Sequence, residues 1–263
     1  FEEVAKFRAS RRMWHTIMTQ RFKCKNEKSA LLRFHTQTGG STLTAQQPEV
    51  NVIRVALQAL AAVLGGTQSL HTNGFDEALG LPTEKAAKIA LRTQQIIANE
   101  SGVTDTVDPL AGSYFVESLT NEVEAAAWRY IERIDAMGGA VAAIEAGYMQ
   151  DEIEQAAFEW AKNVDDGRKV IVGVNKYAEP EEGELEVFPI DPELERRQAA
   201  AVAAVRARRD AAAVKASLED VRAAARGTQN LLVPMREALS QYATLGEVSD
   251  VLREEFGVYQ PSR

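Results

Sequence analysis

The chain has 263 residues, of which 45% are hydrophobic and 26% charged, a composition typical of a globular protein with a sizeable core. Its formal net charge of −8 at pH 7 argues against a nucleic-acid partner, because phosphate backbones are bound by concentrated positive surfaces. Cys24 is the only cysteine, which excludes an intrachain disulfide and favours a reducing cytoplasm. No apolar run approaches the roughly 20 residues of a membrane span, so no membrane partner is expected.

The N-terminal part repeats a pattern of strand, polar loop and helix. The chain opens on Phe1 rather than Met, already in helical spacing, and we expect the natural protein to extend upstream. The apolar periodicity predicts, in chain order, a helix over 1–20, strands over 30–34 and 67–70, each followed by a helix (48–64 and 84–99), and a third strand near 106–108. The buried face of the second helix is expected to include Ile53 and Leu57. Repeated βα units of this kind predict a parallel sheet.

After residue 118 the pattern becomes mostly helical. The predicted elements are a helix ending at Gly138, a helix over 144–160, a short buried strand over 170–174, a solvated acidic loop over 179–184, one long helix over 192–226, and helices over 231–243 and 245–256. We therefore divide the chain into 1–118, 119–190 and 191–263.

Polar residues follow the two predicted strands. Loops after parallel strands gather at one edge of the sheet, so His35, Gln37, Gln68, His71 and Asn73 are expected to share a cleft. The adjacent Gly39 and Gly40 would let a ligand approach the backbone closely.

Two other interpretations of these residues stay open. The Thr-rich turns could simply close the strands, or His35 and His71 could bind zinc with Asp76 or Glu77, although the chain has no H-E-x-x-H motif. Asp76, Glu77 and Asp108 are too ordinary as acid or base candidates to indicate a reaction by themselves.

Five motifs identify a family. They are F-R-A-S-R-R at 7–12, R-F-H-T-Q-T-G-G at 33–40, G-T-Q-S-L-H-T-N-G-F-D-E-A-L at 66–79, D-P-L-A-G-S-Y at 108–114 and V-G-V-N-K-Y at 172–177. In these stretches the chain resembles the adenosylcobalamin-dependent acyl-CoA mutases, and specifically the large subunit of the methylmalonyl-CoA mutase family. Gly39 and Ser41 stand where many methylmalonyl-CoA mutases have Ser and Trp, which leaves the substrate subtype open.

The resemblance implies an α/β fold: the last three βα units of a (β/α)₈ TIM barrel, followed by a mostly helical region, with no cobalamin-binding domain in this chain. It implies a radical rearrangement of an acyl-CoA, with (R)-methylmalonyl-CoA and succinyl-CoA as the favoured pair and isobutyryl-CoA or 2-hydroxyisobutyryl-CoA as alternatives. The expected partners are the remaining N-terminal half of the barrel and a cobalamin-binding small subunit or domain. A barrel fragment that only binds a partner is the non-enzymatic alternative.

The resemblance also implies roles for nine residues and no metal ligand in this chain, since the histidine that ligates cobalt would lie outside it. The residues are Gly40 and Gly80 against cobalamin, Glu77 and Asn73 at the adenosyl ribose, His35 and Gln37 near the corrin and the reacting centre, Gln68 and Ser69 near the thioester, and Lys28 on the coenzyme A side.

Overall fold

A two-stranded parallel sheet lies between the N-terminal helices. The computed structural model describes residues 1–180 and 187–260. Strand β1 covers His35–Gln37 and strand β2 covers Ser69–His71, with His35 opposite Ser69 and Gln37 opposite His71. The parallel pairing was predicted correctly, but the predicted strand positions, 30–34 and 67–70, were too early.

The physical reason for the shift of β1 is local hydrogen bonding. Residues Glu27–Ala30 form a 3₁₀ turn, in which the Asn26 side chain accepts a hydrogen bond from the Lys28 backbone N–H at 3.0 Å. The Phe34 N–H is then bound by the side-chain oxygen of Gln68 at 2.9 Å rather than by a strand partner. Regular pairing therefore begins only at His35.

The predicted third strand at 106–108 is wrong. A 3₁₀ turn covers Val103–Asp105, Val107 is 94% exposed, and Asp108 has a φ of 46°, which no strand residue adopts. Within the described residues there are thus two βα units, β1 with the helix Asn51–Leu64 and β2 with the helix Glu84–Glu100, and the expected three units of a barrel are not seen. The chain has an α/β fold in which helices predominate.

Six α-helices lie in the same part of the chain as this sheet, Phe1–Phe188. They are α1 Glu2–Thr16, α2 Asn51–Leu64, α3 Glu84–Glu100, α4 Tyr114–Ala136, α5 Ala140–Glu145 and α6 Tyr148–Asp165. The predicted buried face of α2 was wrong at Ile53 and Leu57, which are 61% and 65% exposed, whereas Leu60 and Leu64 of the same predicted face are half-buried. The buried stripe is instead built largely from smaller residues, Val55, Ala59 and Ala62, which allow the helix to approach its neighbours closely.

The region after α4 contains shorter elements than the sequence predicts. The predicted helix over 144–160 is divided between α5 and α6 by Gly147, which adopts a left-handed conformation with φ 77°. The predicted buried strand over 170–174 is wrong: it is a turn with a single bridge between Val172 and Lys176, and Val172 is exposed. The predicted acidic loop at 179–184 falls mostly outside the described residues. The predicted boundary at 118 lies within α4.

The chain divides into two compact units, Phe1–Phe188 and Pro189–Arg263. The second unit contains α7 Pro192–Arg208, α8 Ala211–Ala225, α9 Leu232–Ser240 and α10 Leu245–Phe256. The single helix predicted over 192–226 was wrong because Asp210 caps a new helix, accepting from the N–H groups of Ala212 and Ala213 at 2.8 and 3.1 Å. The core of this unit consists of Val214, Val221, Ala238, Ala243, Val248 and Val251.

A carboxylate of the second unit should make its stability depend on acid. Both oxygens of Glu247 accept hydrogen bonds from Arg209 at 2.6 Å, and Oε2 also accepts from the Thr244 backbone N–H at 2.8 Å. The Arg209 guanidinium, with a smaller contribution from Thr244, lowers the pKa of Glu247 to about 2 from an ordinary 4.5. Because the folded-state pKa is depressed, the stabilisation is complete above about pH 4.5 and is lost as the pH falls towards 2.

We therefore expect Glu247→Gln to lower the unfolding free energy of this unit by about 1–2 kcal/mol at pH 7, since it breaks an ion pair and a helix cap. The loss should shrink as the pH falls from 5 to 2, measured by thermal unfolding followed by circular dichroism. Glu254→Gln, at an exposed carboxylate of the same helix, is the control and should have a small effect. An unchanged difference between Glu247→Gln and the parent protein across this pH range would contradict the assignment.

Candidate functional site

One face of the sheet presents only polar side chains. Successive strand residues point to opposite faces, and His35, Gln37, Ser69 and His71 share the exposed one. Sequence reasoning placed both histidines in loops just past the strands, whereas the structure places them within the strands. Since parallel sheets are normally covered on both faces, an open polar face of this kind is unusual and marks a surface for a ligand or a partner.

Hydrogen bonds join the two strands on this face. His35 Nδ1 lies 2.7 Å from Ser69 Oγ, directly across the strand pair. Both ends of the Gln68 side-chain amide are hydrogen-bonded to backbone groups. Its Oε1 accepts from the Phe34 N–H at 2.9 Å, and its Nε2 donates to the Gly66 carbonyl at 3.0 Å. Ser69 and His35 thus lie together as expected, while Gln68 would have to exchange a backbone bond to reach a ligand.

Asn73 connects the loop after β1 to the loop after β2, and we name residues 38–47 the first loop and residues 72–83 the second loop. Asn73 Oδ1 accepts from Thr38 Oγ1 at 3.2 Å and from Gln37 Nε2 at 3.3 Å, while the Asn73 N–H donates to Thr38 Oγ1 at 3.0 Å. Asn73 is 2% exposed, and its Nδ2 has no hydrogen-bond partner. A buried amide donor without an acceptor is costly and is a feature of sites that bind a ligand.

Gly40 lies against the same amide, and we name Gly40, Asn73 and Glu77 the glycine cluster. A Cβ atom on Gly40 would lie 2.6 Å from Asn73 Nδ2 and 3.1 Å from Glu77 Oε1. The first distance is shorter than any ordinary contact and the second is tight, so a side chain at this position would force Asn73 to shift, and glycine lets the two loops approach this closely. Glu77 is exposed, which leaves its carboxylate available at the surface beside the buried amide.

Asp76 holds the second loop in this position. The buried Asp76 carboxylate accepts through Oδ2 from the Thr83 N–H at 2.8 Å and from Thr83 Oγ1 at 2.9 Å, and Thr83 in turn caps α3. Asp76 Oδ2 therefore fixes the second loop to the start of α3, while Asp76 Oδ1 is buried without a hydrogen-bond partner. Nowhere in residues 1–180 and 187–260 do three or more His, Cys, Asp or Glu side chains group as they would around a metal ion.

Two predicted residues lie apart from the glycine cluster. Lys28 is exposed in the 3₁₀ turn Glu27–Ala30, with no described contact to the loops. Gly80 is also exposed, and a Cβ there would meet Val187 Cγ1 at an acceptable 3.4 Å.

Sequence reasoning missed a residue that fixes the first loop from behind. Gln58 of α2 accepts from the Gly39 N–H at 2.9 Å and donates to Thr42 Oγ1 at 2.7 Å. It therefore binds the first loop on both the N-terminal and the C-terminal side of Gly40. Thr38, which binds Asn73, was missed as well. A glutamine on a predicted helix and a threonine in a polar run carry no pattern that would have distinguished them.

Comparison with known proteins identifies the family. The family model described as methylmalonyl-CoA mutase matches residues 1–258 of the chain. The chain belongs to the methylmalonyl-CoA mutase family. It is 48% identical over 99% of its length to the 2-hydroxyisobutanoyl-CoA mutase large subunit of Aquincola tertiaricarbonis, and 48% identical over 98% to methylmalonyl-CoA mutase of Rhizobium meliloti. It is 44% identical over 99% to the mitochondrial methylmalonyl-CoA mutase of Homo sapiens.

The chain spans less than half the length of these relatives: 47% of the Aquincola protein, 36% of the Rhizobium protein and 35% of the human protein. The family assignment made from the five motifs is confirmed. In the part of the chain that the structure describes, no helix combines the length and the apolar character needed to cross a bilayer.

Several of the mutase-family motifs meet in space. Arg8 of the first motif is paired with Asp108 of the fourth, and Arg11 donates to the Gly65 carbonyl, next to the start of the third motif, at 2.5 Å. Burial lowers the pKa of Arg11 from its ordinary value. Arg8 and Arg11 of the first motif therefore fix α1 to segments that contain, or lie next to, the fourth and third motifs.

Proposed function

We propose that this chain forms the adenosyl side of the active site of an acyl-CoA mutase that uses adenosylcobalamin to rearrange a carbon skeleton. The observation that carries the proposal is the glycine cluster, in which Gly40, Asn73 and Glu77 come from two separate loops and leave a buried amide donor unpaired beside an exposed carboxylate. Family membership supplies the chemical context, because the relatives are named as mutases of acyl-CoA thioesters.

The glycine cluster suits a ribose ring. Glu77 offers carboxylate oxygens to hydroxyl donors, and Asn73 Nδ2 offers a donor to a hydroxyl oxygen. Gly40 and Gly80 would face the corrin, although Gly40 has a second reason to be glycine, the approach of Asn73. Adenosylcobalamin supplies radical chemistry when bound, and the task of this chain is to hold, orient and shield.

On the strand face, the paired His35 and Ser69 are proposed to contact the reacting acyl group and its thioester. Their 2.7 Å hydrogen bond fixes the orientation of the imidazole. Gln37 and Gln68 would line the same face, and Lys28 would face the coenzyme A phosphates.

The favoured substrate pair is methylmalonyl-CoA and succinyl-CoA. 2-Hydroxyisobutyryl-CoA is a serious second candidate, because a relative 48% identical over 99% of the chain carries the name of that activity. Isobutyryl-CoA is a third possibility within the family.

The proposed enzyme is larger than this chain. A cleft of about 360 Å³ beside β2, lined by Leu70, Leu91 and Ile97 among others, is a surface that further barrel elements would cover. We propose that 1–118 belongs to a TIM barrel, that 119–190 and 191–263 are helical extensions, and that a separate subunit or domain binds cobalamin and ligates cobalt through its own histidine. The relative named as a large subunit supports such a division. A cytoplasmic location is the compartment that the single Cys24 favours.

The proposal is tested by assembly. The chain is combined with the N-terminal barrel half and the cobalamin subunit of a relative, adenosylcobalamin is added, and each candidate acyl-CoA is supplied in turn. We expect cob(II)alamin absorbance and a rearranged product with one substrate. If the assembled protein gives neither with any candidate, the chain is a binding scaffold rather than part of an enzyme.

Replacing Glu77 should separate the two ligands. Glu77→Ala removes the proposed acceptor at the ribose, so we expect adenosylcobalamin to bind about 10–100-fold more weakly, as for the loss of charge-assisted hydrogen bonds, while acyl-CoA affinity stays within about twofold. Both affinities are measured by titration calorimetry on the assembled enzyme. Glu84→Ala, in the first turn of α3, is the control. Equal weakening of both ligands would place Glu77 elsewhere than at the ribose.

A further inference from the structure

The fifth family motif, V-G-V-N-K-Y, forms a turn over residues 171–177 that has no part in the proposed ligand contacts. The Gly173 N–H donates to the Lys176 carbonyl at 2.8 Å. Asn175 braces the turn through its side chain, accepting from the Ile171 N–H at 2.7 Å and donating to the Val164 and Lys169 carbonyls at 2.8 Å each. The Asn175 side chain therefore holds the turn in a single conformation and anchors it to the end of α6.

Two side chains attach this turn to the segment that follows β1. Arg54 Nη2 donates to the Val172 carbonyl at 2.6 Å, and Gln47 Nε2 donates to the Tyr177 carbonyl at 2.9 Å. A Cβ on Gly173 would lie 3.2 Å from Gln47 Cδ, so the turn rests directly on that side chain. Gln47 itself has a φ of 47°, a left-handed conformation that costs free energy at a residue other than glycine and persists only where its surroundings fix it.

Arg54 also connects the turn to the fully buried side-chain amide of Asn51. Its Nη1 donates to Asn51 Oδ1 at 2.8 Å and to Thr44 Oγ1 at 3.1 Å. Asn51, 0% exposed, also accepts from the Thr44 N–H at 3.1 Å and donates through Nδ2 to the carbonyls of Thr44 and Phe75, at 2.8 and 2.9 Å. All the donors of the Asn51 amide are used, and they join the first loop to the second.

We propose that the turn at 171–177 is a positioning element of the cofactor site, acting through Arg54 and Asn51 to fix the separation of the first and second loops. That separation sets how closely Gly40 approaches Asn73 and Glu77. A Cβ added at Gly40 would lie 2.6 Å from Asn73 Nδ2 and 3.1 Å from Glu77 Oε1, so a small change in the separation alters these contacts. Arg54 and Asn51 are positioning residues, since neither belongs to the glycine cluster. The link to the cofactor rests on the proposed function, whereas the coupling between the turn and the loops does not.

Hydrogen exchange on the 263-residue chain tests the coupling without any ligand. Arg54→Lys keeps the charge but loses the planar fork that spans Val172, Thr44 and Asn51, and Asn175→Ala loosens the turn itself. We expect both to accelerate exchange about tenfold or more at amides of the first and second loops, including those of Thr44 and Glu77, with the amides of α1 unchanged. Lys176→Ala is the control, because that side chain only stacks on Tyr177.

Unchanged exchange in the two loops, or equal acceleration in α1, overturns the coupling. Should either variant fail to fold, Gln47→Ala removes the hydrogen bond to Tyr177 and the packing against Gly173, and it is judged by the same loop amides. In the assembled enzyme, Arg54→Lys should weaken adenosylcobalamin binding about tenfold and leave acyl-CoA binding within about twofold. Equal weakening of both ligands overturns the role at the cofactor. If the unmodified assembly binds no adenosylcobalamin, the proposed function fails while the exchange result still decides the coupling.

Discussion

Gly40→Ala should lower kcat/KM of the assembled enzyme by about 100-fold or more, the scale expected when reacting groups are displaced by about 1 Å. The added methyl group would lie 2.6 Å from Asn73 Nδ2 and 3.1 Å from Glu77 Oε1, so the two loops must separate. The contact with Asn73 cannot be relieved cheaply, because Asn73 is buried and is held by Thr38, whereas the exposed Glu77 side chain can turn aside. Steady-state kinetics and adenosylcobalamin titration measure the effect, and we expect the cofactor affinity to fall with the rate.

The neighbouring glycine provides a matched control. A Cβ on Gly39 would find its nearest atoms 3.6 Å away, in the Thr42 side chain, and the Gly39 φ of −75° suits any residue. Gly39→Ala should therefore keep activity within about threefold and stability within about 0.5 kcal/mol. If the two alanine variants behave alike, the loss arises from the general flexibility of the loop, and the close approach of Gly40 to Asn73 and Glu77 is not what requires glycine.

Helices were predicted well from the sequence where their own ends are marked by caps and breakers. The helix predicted over 245–256 is confirmed as α10, Leu245–Phe256, whose ends the structure shows to be set by a capping box of Thr244 and Glu247 and by Gly257. By contrast, the single helix predicted over 192–226 concealed the cap at Asp210, since an Ala- and Arg-rich stretch has high helix propensity on both sides. Capping residues predict where a helix begins and ends only when high helix propensity on both sides does not conceal them.

The strands were located less well, for a different reason. Strands β1 and β2 are three residues each, and their limits depend on pairing with one another rather than on local propensity. The apolar run at 30–34 favoured a strand, but the Gln68 side chain occupies the N–H that would have extended the pairing. A side chain thirty-four residues away in sequence cannot be read from the run itself.

The motifs showed which residues matter but not what they do in this structure. Asn73 and Glu77 were selected by family resemblance, and the structure does bring them together with Gly40. The contact between Gly40 and Asn73 spans the space between two loops, which spacing along the chain does not encode. The same is true of Arg8, whose partners lie 100 and 109 residues away.

Arg8→Met should destabilise the first unit by about 2–4 kcal/mol, somewhat below the roughly 3–5 kcal/mol of a fully buried broken ion pair, because the carboxylates keep some contact with water. The Arg8 side chain is only 13% exposed and binds Asp108 and Glu117 together. Glu117 Oε1 also accepts from the Gly112 N–H at 3.0 Å. The loop from Asp108 to Gly112 is therefore held at one end by Arg8 directly and at the other through Glu117, so the substitution weakens both attachments. Methionine retains the apolar stem, which restricts the change to the charge and its hydrogen bonds.

Arg12→Met, one helical turn further along α1, is the matched comparison. Arg12 is also paired with α4, through Glu124, but its side chain is 49% exposed, and exposed pairs contribute about 0–1 kcal/mol. Urea unfolding followed by circular dichroism should separate the two variants by at least about 1.5 kcal/mol, with the m value unchanged if both remain two-state. Equal losses at Arg8 and Arg12 would mean that burial does not set the strength of these pairs.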